Sequence, residues 1–174
     1  MATFKIDQAH SDILFKVKHL MITTVTGQFT SFEGEMECAT EDFSDAKISF
    51  SADVNSIDTR NEQRNEHLKS DDFFNAAEFP KILFQNGSLS KSGENYSLTG
   101  DLTIRNTTKP ITLQVSYSGK MTDPWGQTKV GFEAEGVIKR KEFGLMWDAV
   151  TEAGGVVVSD DVRLILNVQF TQQP

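Results

Sequence analysis

The chain has 174 residues and carries 25 acidic against 17 basic side chains, a formal net charge of −8. That surplus opposes a general grip on nucleic acid or on anionic membrane, although a local basic patch stays free to hold a small anion because fields are screened within about 8–10 Å. One cysteine rules out an internal disulfide, and no apolar run approaches the roughly 18 residues of a membrane helix.

The length suits one domain over residues 1–174, and thirteen phenylalanines supply an oily interior. Met1-Ala2-Thr3-Phe4 opens directly into strand-like sequence, which reads as a cytoplasmic chain, or a periplasmic one if an export signal has been removed. In the stretch His10–His19, Ser11, Ile13, Phe15 and Val17 alternate with Asp12, Leu14, Lys16 and Lys18, the pattern of a half-buried strand. Met21 to Gly27 continues as β-branched strand ending in a turn. Phe32, Gly34, Met36 and Cys38 then face away from Glu33, Glu35 and Glu37, with Gly34 marking a bend and Cys38 an inert buried thiol. Ile48, Phe50, Ala52 and Val54 form the next inward row, which gives way at Ser56-Ile57-Asp58.

At Thr59 the period changes. Thr59-Arg60-Asn61-Glu62 fits a capping box, predicting a helix of about ten residues with Arg60, Arg64, His67 and Leu68 along one side. Ser70-Asp71-Asp72-Phe73 reads as a second cap, and Phe73, Phe74 and Phe79 as anchors of a helical insert that closes before Pro80. Strands return at Ile82–Phe84, Tyr96–Ile104, Ile111–Tyr117, Val130–Ile138 and Val162–Phe170, with turns at Asn86-Gly87, Ser92-Gly93, Asn106–Pro110 and Asp123–Gly126. About eight strands result, the number at which a closed antiparallel barrel fills with side chains or holds one small ligand. Between Lys141 and Val158 the alternation fails, so Phe143, Leu145 and Trp147 either pack on the sheet or form a cavity mouth.

No glycine-rich phosphate loop, nucleophile elbow or clustered metal-ligating residues occur, so neither a catalytic set nor a metal site is expected. His10 and His19 fall on opposite faces of an uninterrupted strand, and carboxylates sit mostly at outward phase. Arg60, Arg64, His67, Lys139 and Arg140 are the remaining basic candidates. Arginine's planar fork suits phosphate or carboxylate, so Arg60 and Arg64 either hold an anionic head group or pair with acidic neighbours to fix the insert.

The ordered set His10-Ser11, Gly27-Gln28-Phe29, Phe32-Glu33-Gly34, Ser56-Ile57-Asp58-Thr59, His67-Leu68-Lys69-Ser70-Asp71-Asp72-Phe73-Phe74, Pro80-Lys81-Ile82, Leu98-Thr99-Gly100-Asp101-Leu102-Thr103-Ile104, Pro110-Ile111-Thr112-Leu113, Arg140-Lys141-Glu142-Phe143-Gly144-Leu145 and Asp160-Asp161-Val162 resembles the YceI-like family. Essentially the whole chain is covered. The resemblance implies an all-β, single closed antiparallel eight-stranded lipocalin-like barrel with a short helical insert, binding a long isoprenoid lipid inside. Members are often periplasmic, and some are dimeric. Asn65 stands where the family commonly has aspartate, and Asn106 and Ser159 where it often has glycine; asparagine at 106 tolerates the left-handed geometry of a turn.

The expected function is therefore non-catalytic carriage of a polyprenyl phosphate or quinone-like lipid, without another cofactor, nucleic acid partner or integral membrane segment; a homodimer fits the family. The expected cavity wall is Phe15, Val17, Phe32, Met36, Phe50, Phe84, Leu102, Leu113, Phe132 and Leu164, and the expected head-group rim is His10, Arg60, Arg64, His67 and Trp147. Two alternatives remain. One is a filled barrel acting as a stress-associated interaction scaffold. The other is an enzyme on a lipid-like substrate, for which His10 or His67 needs an orienting carboxylate and a place facing the cavity.

Overall fold

Alternating residues leave each strand one apolar face to bury, and a sheet that closes on itself buries all those faces together. The computed structural model, which describes residues 1–148 and 157–174, is such a closed antiparallel sheet. Its strands are β1 (Ala2–Ile6), β2 (Asp12–His19), β3 (Thr23–Phe29), β4 (Phe32–Cys38), β5 (Lys47–Asp53), β6 (Ile57–Asp58), β7 (Lys81–Ser92), β8 (Asn95–Ile104), β9 (Thr107–Thr122), β10 (Thr128–Lys139) and β11 (Val158–Gln172). Among the described residues a single α-helix, α1 (Glu62–Lys69), interrupts them between β6 and β7.

These eleven segments make eight staves, because β1 with β2, β3 with β4, and β5 with β6 each form one broken stave. β11 pairs with β2 up to Asn167 opposite Asp12, then with β1 from Phe170 opposite Ile6, and this second pairing closes the barrel. The breaks lie side by side and are stitched together. Asp7 N–H donates to the Gln169 carbonyl at 2.7 Å, Gln8 Nε2 to the Thr30 carbonyl at 3.1 Å, and Asp53 N–H to the Ser31 carbonyl at 2.9 Å. The Ser31 hydroxyl adds a bond to Asp53 Oδ2 at 2.8 Å. This polar seam bends three adjacent staves at one level and gives new partners to backbone groups that leave the ladder there.

One end of the barrel is sealed. Phe43, in the loop after β4, meets Tyr117 at a tilt and Phe132 edge-on with centroids 5.4 Å apart in each case, and Phe4 edge-on at 6.3 Å. The loop is tied down by the Tyr96 hydroxyl, which donates to the Asp42 carbonyl at 2.6 Å. Asp45 gathers the Ala39 and Thr40 amides and the Thr40 hydroxyl, and these donors hold its carboxyl below the ordinary range. Met36 and Cys38 sit at this end, opposite Phe4 and Ala2; burial, then the nearby Asp45 carboxylate, pushes the Cys38 thiol up. The opposite end carries the insert and the residues following β10.

The insert departs from the expected capping box. Asn61, not Thr59, caps α1, its side chain accepting from the Arg64 amide at 3.0 Å, and the helix runs eight residues rather than ten. Arg60 has φ +63°, which breaks the helix before it reaches Thr59. Ser70 ends α1 instead of starting a second helix, and the chain continues in turns that bury Phe73 and Phe74. At the β8–β9 connection the left-handed residue is Arg105, at φ +55°, rather than Asn106. No helix among the described residues is long and apolar enough to cross a membrane.

Two measurements check this account of the sealed end. Phe43→Ala is expected to lower stability by about 3–5 kcal/mol, the cost of emptying an aromatic site, and the melting temperature by about 6–20 °C for a chain of this size. Depressed carboxyls such as Asp45 stabilise the fold above their unfolded pKa of about 3.9 and lose that contribution as pH falls through the lower folded value. Denaturant unfolding should thus show stability falling below about pH 4, with a smaller fall in Asp45→Asn; an unchanged acid limb in that variant contradicts the assignment.

Candidate ligand-binding cavity

Above the sealed floor the barrel is hollow, enclosing a cavity of about 360 Å³ that opens beside the insert. Its wall takes Phe15 and Val17 from β2, Phe50 from β5 and Phe84 from β7. Leu102, Leu113, Phe132 and Leu164 continue it around β8 to β11. Val162, Leu164, Leu166 and Val168 lie along β11 as one inward row, yet each is only half-buried. Apolar side chains that point inward and still retain exposed surface mark an unfilled interior.

The lumen stays open because large rings lie flat against glycine. Phe15 is paired across the strands with Gly27, and a methyl group added at Gly27 would sit 2.1 Å from Phe15 Cζ. The Phe84 ring covers Gly100 in the same way, 2.4 Å from where its Cβ would be. Glycine here gives space for ring and backbone to approach, so aromatic bulk thickens the wall instead of filling the centre.

Two expected wall residues stand elsewhere. Phe32 points inward but packs against Phe50, with ring centroids 6.0 Å apart, and it is Phe50 that meets the cavity. Met36 is fully buried in the floor region, paired between Phe4 and Ile48.

The rim is similarly divided. Arg64, His67 and Trp147 come together at the mouth, joined by Lys18, His19, Thr59 and Arg140. His67 Nε2 lies 2.8 Å from Asp72 Oδ2, and its ring meets Trp147 and Phe73 edge-on at 4.8 and 5.1 Å. His10 is instead on the outer seam, its Nδ1 2.9 Å from Asp7 Oδ2 and its side chain 66% exposed. Burial pushes the Asp7 carboxyl up, but hydrogen bonds and charge from His10 and Lys129 outweigh it and leave the group below its ordinary value. Arg60 also leaves the rim, because its left-handed backbone turns an exposed side chain away from the lining. Leu145 and Trp147 line the mouth, whereas Phe143 is buried beside a separate hollow of about 260 Å³ between β9 and β10. The glycine-led residues 149–156 lie outside the described residues.

Most cationic groups here bind the chain itself. Arg140 is 3% exposed, and donates to the carbonyls of Ser159 at 2.8 Å, Leu145 and Trp147 at 2.7 Å, and Val158 at 3.1 Å. Desolvation lowers its pKa, opposed by Asp148 and Asp160. Arg105 joins the insert to the β8–β9 turn through the Asp71 and Phe73 carbonyls, each at 3.0 Å, and Asp71 Oδ1 at 2.9 Å. Arg64 gives Nε to the Thr59 hydroxyl at 2.8 Å and Nη2 to the Thr59 carbonyl. Asn65 is buried beneath them, accepting from both Thr59 N–H and its hydroxyl while donating to Asp58 Oδ1 at 3.2 Å. An aspartate in that place would set a second carboxylate against Asp58; the amide supplies the required donor.

Among the described residues there is no group of three or more side chains arranged to hold a metal ion. Residues 4–170 match the family model described as a YceI-like domain. Protein YceI from Salmonella newport is 37% identical over 174 residues, spanning 99% of this chain and 88% of the relative. The crystal structure of Burkholderia cenocepacia BcnA has a TM-score of 0.82 at 21% identity, covering 94% of this chain and 98% of its own. A polyisoprenoid binding domain from Saccharophagus degradans has a TM-score of 0.65 at 17% identity, covering 96% and 97% of the two chains. At those identities the two structures establish likeness of fold.

Gly27→Ala tests the ring-on-glycine arrangement. The added methyl must displace the Phe15 ring toward the lumen, with an expected stability loss of about 1–3 kcal/mol and reduced capacity for an apolar probe. Denaturant unfolding and probe titration measure both; undiminished capacity would show that the Phe15 ring does not govern the open volume.

Proposed function

The chain belongs to the YceI-like family, and from that premise we propose that it is a non-catalytic carrier of a long-chain isoprenoid lipid, held tail-inward in the barrel. The observation that carries this reading is the hollow, apolar lumen above a closed aromatic floor. An interior of roughly this size falls within the usual 300–1,000 Å³ of small-ligand sites. The inward row from Val162 to Phe170 extends for about 26 Å at strand rise, suiting a chain more than a compact molecule. Each methylene withdrawn from water contributes about 0.8 kcal/mol. The polyisoprenoid binding domain of S. degradans shares this fold.

The guanidinium groups of the mouth favour a quinone-like head, while Lys18 in the lining is the cation that a phosphate would meet. Arg140 gives four of its five N–H groups to carbonyls and faces Asp148 Oδ2 at 3.7 Å, and Arg64 has committed two of its nitrogens to Thr59. A head group with carbonyl or hydroxyl oxygens asks for hydrogen bonds without requiring a free guanidinium fork.

A second reading is favoured by one observation. His67 faces the cavity with a carboxylate at 2.8 Å, satisfying the geometry set for a catalytic histidine, whereas His10 has its carboxylate, Asp7, at 2.9 Å but lies on the outer seam away from the cavity. The scaffold alternative needs a packed interior; rings meet across the floor, whereas above it the ring pairs such as Phe15–Phe29 and Phe32–Phe50 leave a cavity of about 360 Å³.

Fluorescence titration with an isoprenoid quinone should saturate at one lipid per chain, and Phe50→Asp should abolish uptake while the chain remains folded by circular dichroism. Undiminished uptake by folded Phe50→Asp contradicts the cavity assignment. Recovered lipid should have its original mass; conversion that disappears in His67→Asn would transfer the assignment to the enzymatic reading.

A further inference from the structure

We propose that the β2–β3 hairpin tip is a docking element for a bilayer surface bearing anionic headgroups, bringing the cavity mouth to the membrane. Its purpose rests on the lipid-carrier reading; its geometry does not.

Three observations converge on this tip. Leu20, Met21 and Ile22 are 40%, 64% and 79% exposed, three successive apolar side chains presented to solvent. Leu20 and Met21 have φ of +55° and +61°, and Ile22 N–H bonds back to the His19 carbonyl at 3.3 Å. This is the tight hairpin turn in which Asn-Gly is ordinarily favoured. Here bulky apolar residues occupy both left-handed positions, so neither solubility nor turn preference accounts for them.

The third observation is charge. Residues 13–32 include Lys16, Lys18 and His19 but none of the 25 acidic residues of the chain. Elsewhere the same end of the barrel is mixed or acidic. Lys139 pairs with Asp161, Lys141 with Asp148, and Lys69 with Glu66, while Asp71 and Asp72 flank the insert. β11 sets Asp160 and Asp161 in the bulge beside Lys18, where Asp161 is paired with Lys139 and Asp160 accepts from the Lys141 amide; the hairpin itself carries only basic charge toward its tip, and screening over about 8 Å lets this near field dominate at contact. Apolar residues at the tip with lysines behind them match the layers of a membrane surface, acyl boundary beneath anionic headgroups.

The tip adjoins the opening. Leu20 N–H donates to the Val157 carbonyl at 2.8 Å, and Lys18, His19 and Val157 all line the cavity. Insertion of Leu20 to Ile22 would set the mouth against the headgroup layer, where an isoprenoid tail passes from acyl chains to lumen with little exposure to water. Trp125 is 83% exposed, but it lies on the β9–β10 hairpin at the sealed end, with no access to the cavity. It provides an internal control.

Vesicle flotation of the full chain tests the docking. The wild type should float with vesicles of phosphatidylcholine and phosphatidylglycerol and remain behind with phosphatidylcholine alone. Met21→Asp and Ile22→Asp should each abolish flotation, Lys18→Gln should weaken it about fivefold, and Trp125→Asp should leave it unchanged. Met21→Asp and Ile22→Asp should still take up polyprenol from detergent micelles. A wild type that floats with neither vesicle, a tip variant that floats normally, or loss of flotation in Trp125→Asp overturns the proposal. So does a sedimentation dimer that Ile22→Asp dissociates, which would assign the tip to a second copy. Flotation by a wild type that takes up no polyprenol from micelles upholds docking and removes the carrier reading instead.

Discussion

The pairing of β1 with β11 is the constraint on which the rest depends, because it turns an open sheet into a barrel. An open sheet with one apolar face needs a second layer to cover it, and the covering layer fills the space. Closure satisfies the strand backbones around the whole circumference and removes the free edges. Inward side chains are then covered by one another across the lumen, and the space between them depends on how far they reach. At the sealed end aromatic rings meet in the centre. Higher up, Phe15 and Phe84 lie against glycine and leave the centre open. One sheet thus provides both a packed core and a cavity.

The mouth uses charge differently from the way its composition suggests. Arginines concentrated near an opening invite assignment to a bound anion, yet Arg140 and Arg105 hold backbone carbonyls, those of Leu145, Trp147 and Phe73 from irregular chain and those of Val158 and Ser159 from the bulged start of β11. Irregular chain near an apolar opening leaves carbonyls without partners, and a guanidinium supplies several donors from one side chain. Arg64 and Asn65 work similarly around Thr59. The insert is consequently fixed by polar bonds and by Phe73 and Phe74, leaving His67 and Trp147 presented to the cavity.

The eight-stave architecture was legible because period-two alternation records directly which face is buried, and rows such as Ile48, Phe50 and Ala52 are nearly free of exceptions. Facing inward, however, does not distinguish lumen from floor. Met36 and Phe50 have the same phase, and only the closed topology shows that one lies under Phe4 while the other meets the cavity. The polar seam was less legible, since its Ser, Thr and Asn/Asp residues resemble ordinary turns until three neighbouring staves are aligned. His10 lies on the outer seam and not at the rim for that reason: the junction of β1 and β2 is a lateral bend, which alternation within either segment does not record. Spacing places Arg60 on the same side as Arg64 and His67, but its left-handed backbone puts it outside the helix. Arg105 gave no local signal, because its partners Asp71 and Phe73 are over thirty positions away.

The central claim is that the apolar lumen exists to be occupied by one lipid chain. Native mass spectrometry of the purified protein, followed by denaturing extraction and identification of what is released, tests it most directly. The account predicts a single isoprenoid species at one molecule per chain, or stoichiometric uptake when such a lipid is added to an empty preparation. A chain that emerges empty and remains empty with isoprenoid lipids present would contradict it.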